Sequence, residues 1–305
     1  MVARPARPVQ PGRRDRAEWW LFILLVAPNL LLLMAFTFWP MLSNIMLSFV
    51  EVIGIGPNAE MRWVGLANYE RIFGDRTFQK VLSNTLFFTF SSVALTLLLG
   101  LAVALLLNQP LKWRNAARAV LFTPTVLSGA AIALVWIYIF DPRFGLLREI
   151  LAMVGVPSPQ WLGRPNTAMW AVIIVYVWKN LGYAVVIYLA GLQAIDRTLY
   201  EAAEIDGAGS WARFWNVTLP GLSPIAFFLL ITSILSCFQA FDIIRVMTRG
   251  GPVNATNTIV YYLYERGFER TEPGTAGVVA VVMFIIMLIL TVLQLRFVER
   301  RVTYA

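Results

Sequence analysis

The chain has 305 residues, of which 59% are hydrophobic and only 14% are charged. An average soluble domain is about 45–50% apolar and about 25% charged, so this composition excludes both an ordinary soluble globule and a disordered chain. Histidine is absent and Cys237 is the only cysteine. The chain therefore cannot hold a Ser–His–Asp triad, an HExxH zinc site or an intramolecular disulfide. The formal net charge of +8 is typical of proteins that bind nucleic acid or an anionic membrane surface.

Before the first apolar run, residues 1–18 are rich in proline and arginine, which predicts a disordered tail. The run that follows is too long for a signal peptide and is followed by no small-residue cleavage site, so it is expected to stay as an anchor. Two prolines, Pro28 and Pro124, lie inside apolar runs and are predicted to kink their helices.

Six apolar runs, each long enough to cross a bilayer as a helix, follow one another along the chain. Crossing requires about 20 mostly apolar residues, and backbone groups in lipid must bond within their own segment. The runs lack the recurring polar face of a surface helix in a soluble protein. The sequence therefore predicts an all-α, polytopic membrane protein with six transmembrane helices, near Trp19–Leu47, Thr85–Leu107, Ala116–Phe140, Ala168–Gln193, Leu222–Ala240 and Gly274–Phe297.

Six spans place both termini on one side of the membrane. Basic residues are densest in the N-terminal tail and in the short loop 111–118, LKWRNAAR, and the positive-inside rule puts such segments in the cytoplasm. Residues 19–299 then form the membrane domain, and residues 300–305 form a second cytoplasmic tail. The excess positive charge is explained by orientation and by anionic headgroups rather than by nucleic acid, although charge alone leaves a seven-span arrangement open.

The segment between the fourth and fifth runs, residues 196–224, is too long and too structured for a plain connector. Thr198 and Glu201 fit a capping box, and Gly207 and Gly209 supply a break. Ser210 is placed to cap a second short helix, which is predicted to stop at Pro220. The sequence therefore predicts a helix–turn–helix at the cytoplasmic surface, suited to docking on a soluble partner.

This segment resembles the EAA loop of binding-protein-dependent ABC importer permeases. That motif is Glu-Ala-Ala, three residues, Gly, nine residues, Ile, one residue and Leu-Pro. Here the spacing is matched without gaps, with Val217 in place of Ile, by Glu201, Ala202, Ala203, Gly207, Leu219 and Pro220.

The resemblance implies that residues 196–220 form a coupling loop, whose first helix docks on an ATP-binding subunit. Asp206, inside the motif, is expected to belong to the same contact as Glu201 and Gly207. A carboxylate such as that of Glu201 accepts hydrogen bonds or pairs with a basic residue of the partner, and Gly207 permits the sharp turn. The implied fold is that of a type I ABC importer permease in the bacterial plasma (inner) membrane.

A second stretch, FDIIRVMTRGGPVNATNTIVYYLYERGFE at 241–269, resembles the sugar and glycerol-phosphate branch of the same family. By resemblance the solute is sn-glycerol 3-phosphate or a glycerophosphodiester, with a neutral di- or oligosaccharide as the alternative. The implied partners are a second, similar permease subunit, two ATP-binding subunits and an extracytoplasmic solute-binding protein. ATP and Mg would be bound by the ATP-binding subunits, and this chain is expected to hold no cofactor and no metal.

Polar groups inside apolar runs are costly and therefore become candidates for the solute pathway. Lys179 lies well inside the fourth run, with Asn180 and Tyr183 beside it. Lys179 could meet solute, satisfy carbonyl groups at a helix break near Gly182, or extend its ammonium group to the membrane surface. Near the outer end of the fifth run, Gln239 and Asp242 are expected to form a second cluster with Arg245, which could line the entry of the pathway or cap the helix end.

The chain has no nucleotide-hydrolysing motif of its own. A P-loop needs a Gly-Lys pair, and none of the three lysines, Lys80, Lys112 and Lys179, follows a glycine. Energy for transport must therefore come from another subunit, and no catalytic residue is predicted. A distant alternative is a membrane-embedded lipid-modifying enzyme using Glu204 and Asp206, but no histidine or paired acidic motif supports it.

Overall fold

A computed structural model describes residues 16–53, 60–110 and 112–298. Within these ranges five helices are long and apolar enough to cross a membrane, and a bent pair of helices makes a sixth crossing if it counts as one span. The predicted polytopic helical fold is therefore confirmed. The predictions for residues 1–15 and 299–305 lie outside the described residues. The candidate spans are Trp19–Ser48, Arg76–Leu107, Arg114–Val126 with Gly129–Ile139, Pro165–Ala194, Ser223–Met247 and Pro273–Arg296.

The first span consists of α1 (Arg16–Leu33), a π-helical turn (Met34–Phe38) and α2 (Trp39–Ser48). The helix continues through Pro28 without a break. Its second half, α2, packs against α15 (Pro273–Leu293). This contact is close because Gly277 has no side chain, and a Cβ added there would lie 2.7 Å from the Ser48 nitrogen. The first half, α1, is exposed from Trp19 to Leu33, apart from partial cover at Val26 and Ala27.

A small antiparallel hairpin follows the first span and was not predicted. Strands β1 (Val50–Ile53) and β2 (Glu60–Trp63) pair with Val50 opposite Trp63. Helix α3 (Ala67–Gly74) holds the hairpin in place, because buried Asn68 donates from Nδ2 to the carbonyls of Ser48 and Val50 at 3.1 and 3.0 Å. The guanidinium groups of Arg71 and Arg62 bind the carboxylate of Glu51 and lower its pKa.

The core is built around two long helices, α4 (Arg76–Leu107) and α8 (Pro165–Ala194), which pack along one another. At Gly100 the two helices approach so closely that an added Cβ would lie 2.9 Å from the Cβ of Ala184. Small residues at such crossings allow close packing in a membrane, where burial of apolar surface does not drive association. Helix α12 (Ser223–Phe238) packs against both α4 and α8.

The third span is broken into α5 (Arg114–Val126) and α6 (Gly129–Ile139), which meet at 104°. Leu127 and Ser128 are extended between them. The predicted bend in this run is present, but it lies three residues after Pro124 rather than at it. Beyond α6 come α7 (Leu146–Met153) and α8, and α6 packs against α13 (Asp242–Met247).

The order of the spans gives the molecule two distinct ends. At the hairpin end, the start of α4 contacts the segment that precedes α14 (Ile259–Tyr264), because Lys80 and Asn84 donate to the carbonyls of Val253 and Asn254, both at 2.7 Å. At the other end, Arg118 of α5 donates to the Leu107 carbonyl at the end of α4. This second end also carries the three short helices between α8 and α12: α9 (Arg197–Ile205), α10 (Ser210–Arg213) and α11 (Leu219–Gly221). Residues 196–221 are called the elbow below.

Candidate coupling surface and intramembrane cavity

The first arm of the elbow is α9, and its N-terminus is capped by Asp196. The Asp196 carboxylate accepts a hydrogen bond from the Thr198 backbone N–H at 2.9 Å, and this bond lowers the pKa of Asp196. The predicted cap at Thr198 is therefore wrong by two residues. Asp196 takes the extended conformation of a capping residue, whereas Thr198 already lies inside the helix.

The bend of the elbow is a Schellman motif centred on Gly207. The Gly207 N–H bonds the Glu204 carbonyl at 3.0 Å, and the Ala208 N–H bonds the Ala203 carbonyl at 2.9 Å. These two bonds require a left-handed residue just past the helix, and Gly207 has φ +75°. The bend predicted at Gly207 is thus formed by the one residue type that adopts this conformation without strain.

The second arm differs from the prediction at both of its ends. Gly209, not Ser210, occupies the N-cap position, and no side chain caps this helix. The helix also runs past Pro220 to Gly221. A π-helical turn at residues 214–218 makes this possible. Its hydrogen bonds span one residue more than those of an α-helix. Pro220, which has no N–H, therefore falls at a position where the helix needs no backbone donor.

Two side-chain contacts join the arms and make the elbow stiff. The Tyr200 hydroxyl and the Thr218 Oγ1 lie 3.0 Å apart. Arg213 Nη1 lies 3.4 Å from Glu204 Oε2. At the base of the elbow, Gly221 packs against Ile195, where an added Cβ would lie 3.0 Å from Cδ1. A force on the first arm therefore reaches the membrane helices through several contacts.

The surface of the elbow presents both the motif residues and large apolar side chains. Glu201, Ala202, Asp206 and Gly207 are exposed, while Ala203, Leu219 and Pro220 are half-buried. Ile205 is 87% exposed and Trp211 is 73% exposed, although both lie outside the membrane spans. Large apolar residues exposed together on a polar segment are typical of a protein-binding surface. Ile205 and Trp211, apolar residues within an otherwise polar loop, are the sequence signal for that surface, and the EAA motif does not include them.

A small polar cavity of about 30 Å³ lies between α4, α8 and α12. Ser92 and Thr96 of α4 are buried there, and within the described part of the chain neither hydroxyl has a hydrogen-bond partner. Asn180 and Tyr183, two of the predicted pathway residues, line this cavity. The other lining residues are Ser92, Val93, Thr96, Tyr176, Thr232, Ser233, Ser236 and Cys237.

Lys179 does not line the cavity but joins α8 to α5. Its Nζ donates to the Thr125 carbonyl at 3.3 Å, and Thr125 Oγ1 donates to the Lys179 carbonyl at 3.0 Å. Gly182 lies against the same stretch of α5, and an added Cβ there would lie only 2.0 Å from the Leu121 carbonyl oxygen. The geometry thus places Lys179 at the break in the third span, where it bonds a backbone carbonyl.

The outer pair of predicted pathway residues lies where the fifth span breaks. Gln239 follows the end of α12, and Asp242 is the first residue of α13. The Asp242 carboxylate packs against Gly129 at the N-terminus of α6. The expected cluster with Arg245 is absent, because Arg245 pairs with Glu269 and lies 4.4 Å above the ring centre of Tyr264.

Among the described residues, no group of three or more Asp, Glu or Cys side chains is placed to hold a metal ion. The arrangement consists of a rigid polar elbow at one end, two broken spans and an uncharged cavity between helices. Broken apolar spans around an uncharged cavity are typical of a membrane transport protein.

The comparisons with known proteins agree with this class. Residues 96–304 match the family described as binding-protein-dependent transport system inner membrane component, and the chain belongs to this family. The sn-glycerol-3-phosphate transport system permease protein UgpA of Yersinia pestis is 35% identical over 97% of this chain and 100% of its own length. Its counterpart from Agrobacterium fabrum is 34% identical over 92% of this chain and 95% of its own length.

A solved bacterial ABC transporter that imports the acidic polysaccharide alginate has a chain with the same fold. It superposes with a TM-score of 0.79 at 23% identity, over 93% of this chain and 98% of that one. A bacterial alginate ABC transporter in complex with an alginate pentasaccharide-bound periplasmic protein gives a TM-score of 0.80 at 22% identity, over 95% of this chain and 99% of that one.

Proposed function

We propose that this chain is one of the two membrane-spanning subunits of an ATP-driven importer and that its elbow docks on an ATP-binding subunit. The observation that carries the proposal is the connectivity of the elbow. The elbow links the end of α8 directly to the start of α12, and these two helices supply most of the lining of the cavity. Movement of the elbow therefore displaces the walls of the solute route.

The path of force begins at the exposed face of α9, where Glu201 and Ile205 are free to contact a partner. The Tyr200–Thr218 contact passes the movement to the second arm, and buried Leu222 passes it to the helices. Leu222 belongs to an apolar cluster that includes Tyr188 and Leu189 of α8. ATP binding and hydrolysis, with Mg, take place in the partner subunits, and their closure and opening alternate the side to which the cavity opens.

The proposed orientation places the elbow end in the cytoplasm and the hairpin end outside. Exposed Lys112 and Arg114 lie at the elbow end, as the positive-inside rule requires. Both chain termini are then cytoplasmic. The hairpin end, with α3 and the segment before α14, faces an extracytoplasmic solute-binding protein.

The proposed solute is sn-glycerol 3-phosphate or a glycerophosphodiester, which rests on the relatives with 34–35% identity. The hydroxyl groups that line the cavity match the glycerol portion of such a molecule in their hydrogen-bonding chemistry, although a cavity of about 30 Å³ must widen to admit it. A neutral di- or oligosaccharide is the second candidate, and the absence of a charged side chain among the residues that line the cavity favours it.

Uptake by the reconstituted complex tests both parts of the proposal. Proteoliposomes containing this chain, the companion permease and the ATP-binding subunits are loaded with ATP and given the solute-binding protein outside. ATP-dependent accumulation of labelled sn-glycerol 3-phosphate, with thermal stabilisation of the complex by that solute, is expected. Accumulation of a disaccharide alone would transfer the assignment to the second candidate, and accumulation without ATP would contradict the importer itself.

A further inference from the structure

The third and the fifth spans are both broken, and the two breaks meet at one carboxylate. The third span breaks at Leu127 and Ser128, between α5 and α6, and the fifth breaks at residues 239–241, between α12 and α13. Asp242, the first residue of α13, lies against Gly129, the first residue of α6. A Cβ added at Gly129 would lie 2.5 Å from Asp242 Cγ, so a side chain at Gly129 would displace the carboxylate.

The Asp242 carboxylate takes the place of a capping side chain at the N-terminus of α6. The first backbone bond into α6 runs from the Ile132 N–H to the Ser128 carbonyl, so the N–H groups of residues 129–131 have no acceptor within the helix. The Ser128 side chain makes no capping bond. The partial positive charge of this helix end stabilises a neighbouring anion. Asp242 Oδ1 also accepts from the Ile243 N–H at 2.9 Å, so one carboxylate contacts the beginning of both half-helices.

Within the part of the chain that the structure describes, no basic side chain forms an ion pair with this carboxylate. Arg245, the expected partner, pairs with Glu269, and Lys179 bonds a backbone carbonyl of α5. A carboxylate inside a membrane span is costly unless polar groups compensate for it. Asp242 lies inside the fifth span, Ser223–Met247, and the N-terminus of α6 supplies this compensation.

The half-helices α6 and α13 are joined more firmly to one another than to the inner halves of their own spans. They pack together, and Ile132 of α6 and Ile243 and Ile244 of α13 are buried in one apolar cluster. By contrast, two residues outside helical structure connect α5 to α6, and three connect α12 to α13. Short segments of this kind absorb the backbone rotations of a hinge.

We propose that Asp242 is a positioning residue that joins α6 to α13, so that the two half-helices move as one unit about the two breaks during transport. The proposal rests on the proposed function, because the transport cycle supplies the movement. It assigns Asp242 to the joint between two spans and not to contact with solute.

A disulfide between the same two positions tests the joint, because it replaces the contact with a bond that can be made and broken. Since Cγ is one bond from Cβ, the Cβ atoms of Gly129→Cys and Asp242→Cys would lie at most about 4 Å apart, within the range of a disulfide. Both substitutions are placed in a Cys237→Ser background, and the complete transporter is reconstituted in proteoliposomes. The Cys237→Ser parent and the single variant Asp242→Cys in the same background are the matched controls.

The oxidised double variant is expected to take up the solute that the parent accumulates at close to the parent rate and with the parent KM. Reduction of the same assembled complexes is expected to lower the rate about 5- to 30-fold, the effect of losing a partly buried charge at a helix N-terminus. Asp242→Cys alone should be equally slow and should not respond to the oxidant. The amount of co-purified companion subunit, expected to be equal before and after reduction, separates this effect from a loss of folding.

Three results would overturn the proposal. An oxidised form that cannot transport would mean that the half-helices must separate, and equal rates in the oxidised and reduced forms would mean that the joint is not needed. A raised KM in the oxidised form would assign Asp242 to solute contact instead. Failure of the disulfide to form, read by thiol labelling without any transport, would refute the juxtaposition itself. A parent complex without ATP-driven uptake would refute the proposed function, which the labelling does not depend on.

Discussion

The elbow bend gives a direct way to test coupling, because one atom added at Gly207 changes backbone energy and little else. A Cβ at Gly207 would meet no heavy atom within 4 Å, so Gly207→Ala causes no collision. Its φ of +75° nevertheless costs an L-residue about 1–2 kcal/mol. That cost lowers the population of the observed bend about 5- to 30-fold relative to competing conformations. If only the observed bend docks, the apparent affinity of the ATP-binding subunit falls by the same factor.

Gly209→Ala is the matched control. Gly209 lies in the same loop and also has no heavy atom within 4 Å of a Cβ, but its φ is −67°, which alanine adopts readily. We expect Gly207→Ala to reduce both ATP-driven uptake and the co-purified ATP-binding subunit, Gly209→Ala to change neither, and Gly207→Asn to recover part of the loss because asparagine tolerates left-handed backbone. Equal effects of the two alanine substitutions would refute the role assigned to the bend.

Three further outcomes follow from the described contacts. Gly182→Ala drives a Cβ to 2.0 Å from an α5 carbonyl oxygen and is expected to lower the melting temperature by several degrees, whereas Gly74→Ala has open space and should not; equal melting curves in detergent would contradict the packing. Lys179→Met removes a charge-assisted bond to an α5 carbonyl, so stability should fall by about 1.5 kcal/mol while the KM for uptake stays constant; a large rise in KM would instead indicate contact with solute. The Asp196 carboxylate has a lowered pKa because it accepts a backbone N–H, so its stabilisation of α9 is complete above about pH 4 and is lost as the pH falls through the lowered pKa. The protection factors of α9 amides, corrected for the pH dependence of intrinsic exchange, should therefore fall in acid in the wild type but show no such additional fall in Asp196→Asn, and identical acid responses of the two proteins would exclude the cap as the cause.

The transmembrane fold was predictable because apolar length alone identifies a span. The hairpin at Val50–Trp63 was not, since two four-residue strands with mixed polarity give no clear alternation. The break between α12 and α13 also escaped prediction. No proline or glycine marks residues 239–241, and the break becomes evident only when α13 packs against α6.

The elbow shows how far a local pattern can predict local structure. The EAA spacing predicted two arms and a bend at Gly207. This position favours glycine because its backbone is left-handed, with φ +75°. The caps at Thr198 and Ser210 were wrong because each neighbour to the N-terminal side, Asp196 and Gly209, was equally able to begin the helix. The cavity could not be predicted, since Ser92 on α4 and Asn180 on α8 line the same space only in the tertiary structure.

Site-directed crosslinking from Ile205 tests the central claim most directly, namely that the elbow is the contact with an ATP-binding subunit. In a Cys237→Ser background, Ile205→Cys places a thiol at a site that is 87% exposed on α9, and Met153→Cys places one at a site that is 84% exposed at the hairpin end. With a crosslinker that carries a maleimide at one end and a benzophenone at the other, which needs no thiol on the partner, we expect a product of this chain with the ATP-binding subunit from position 205 and none from position 153. A thiol at position 205 that reacts with an impermeant reagent from outside the cell, or that never joins the ATP-binding subunit in a transporting complex, would contradict it.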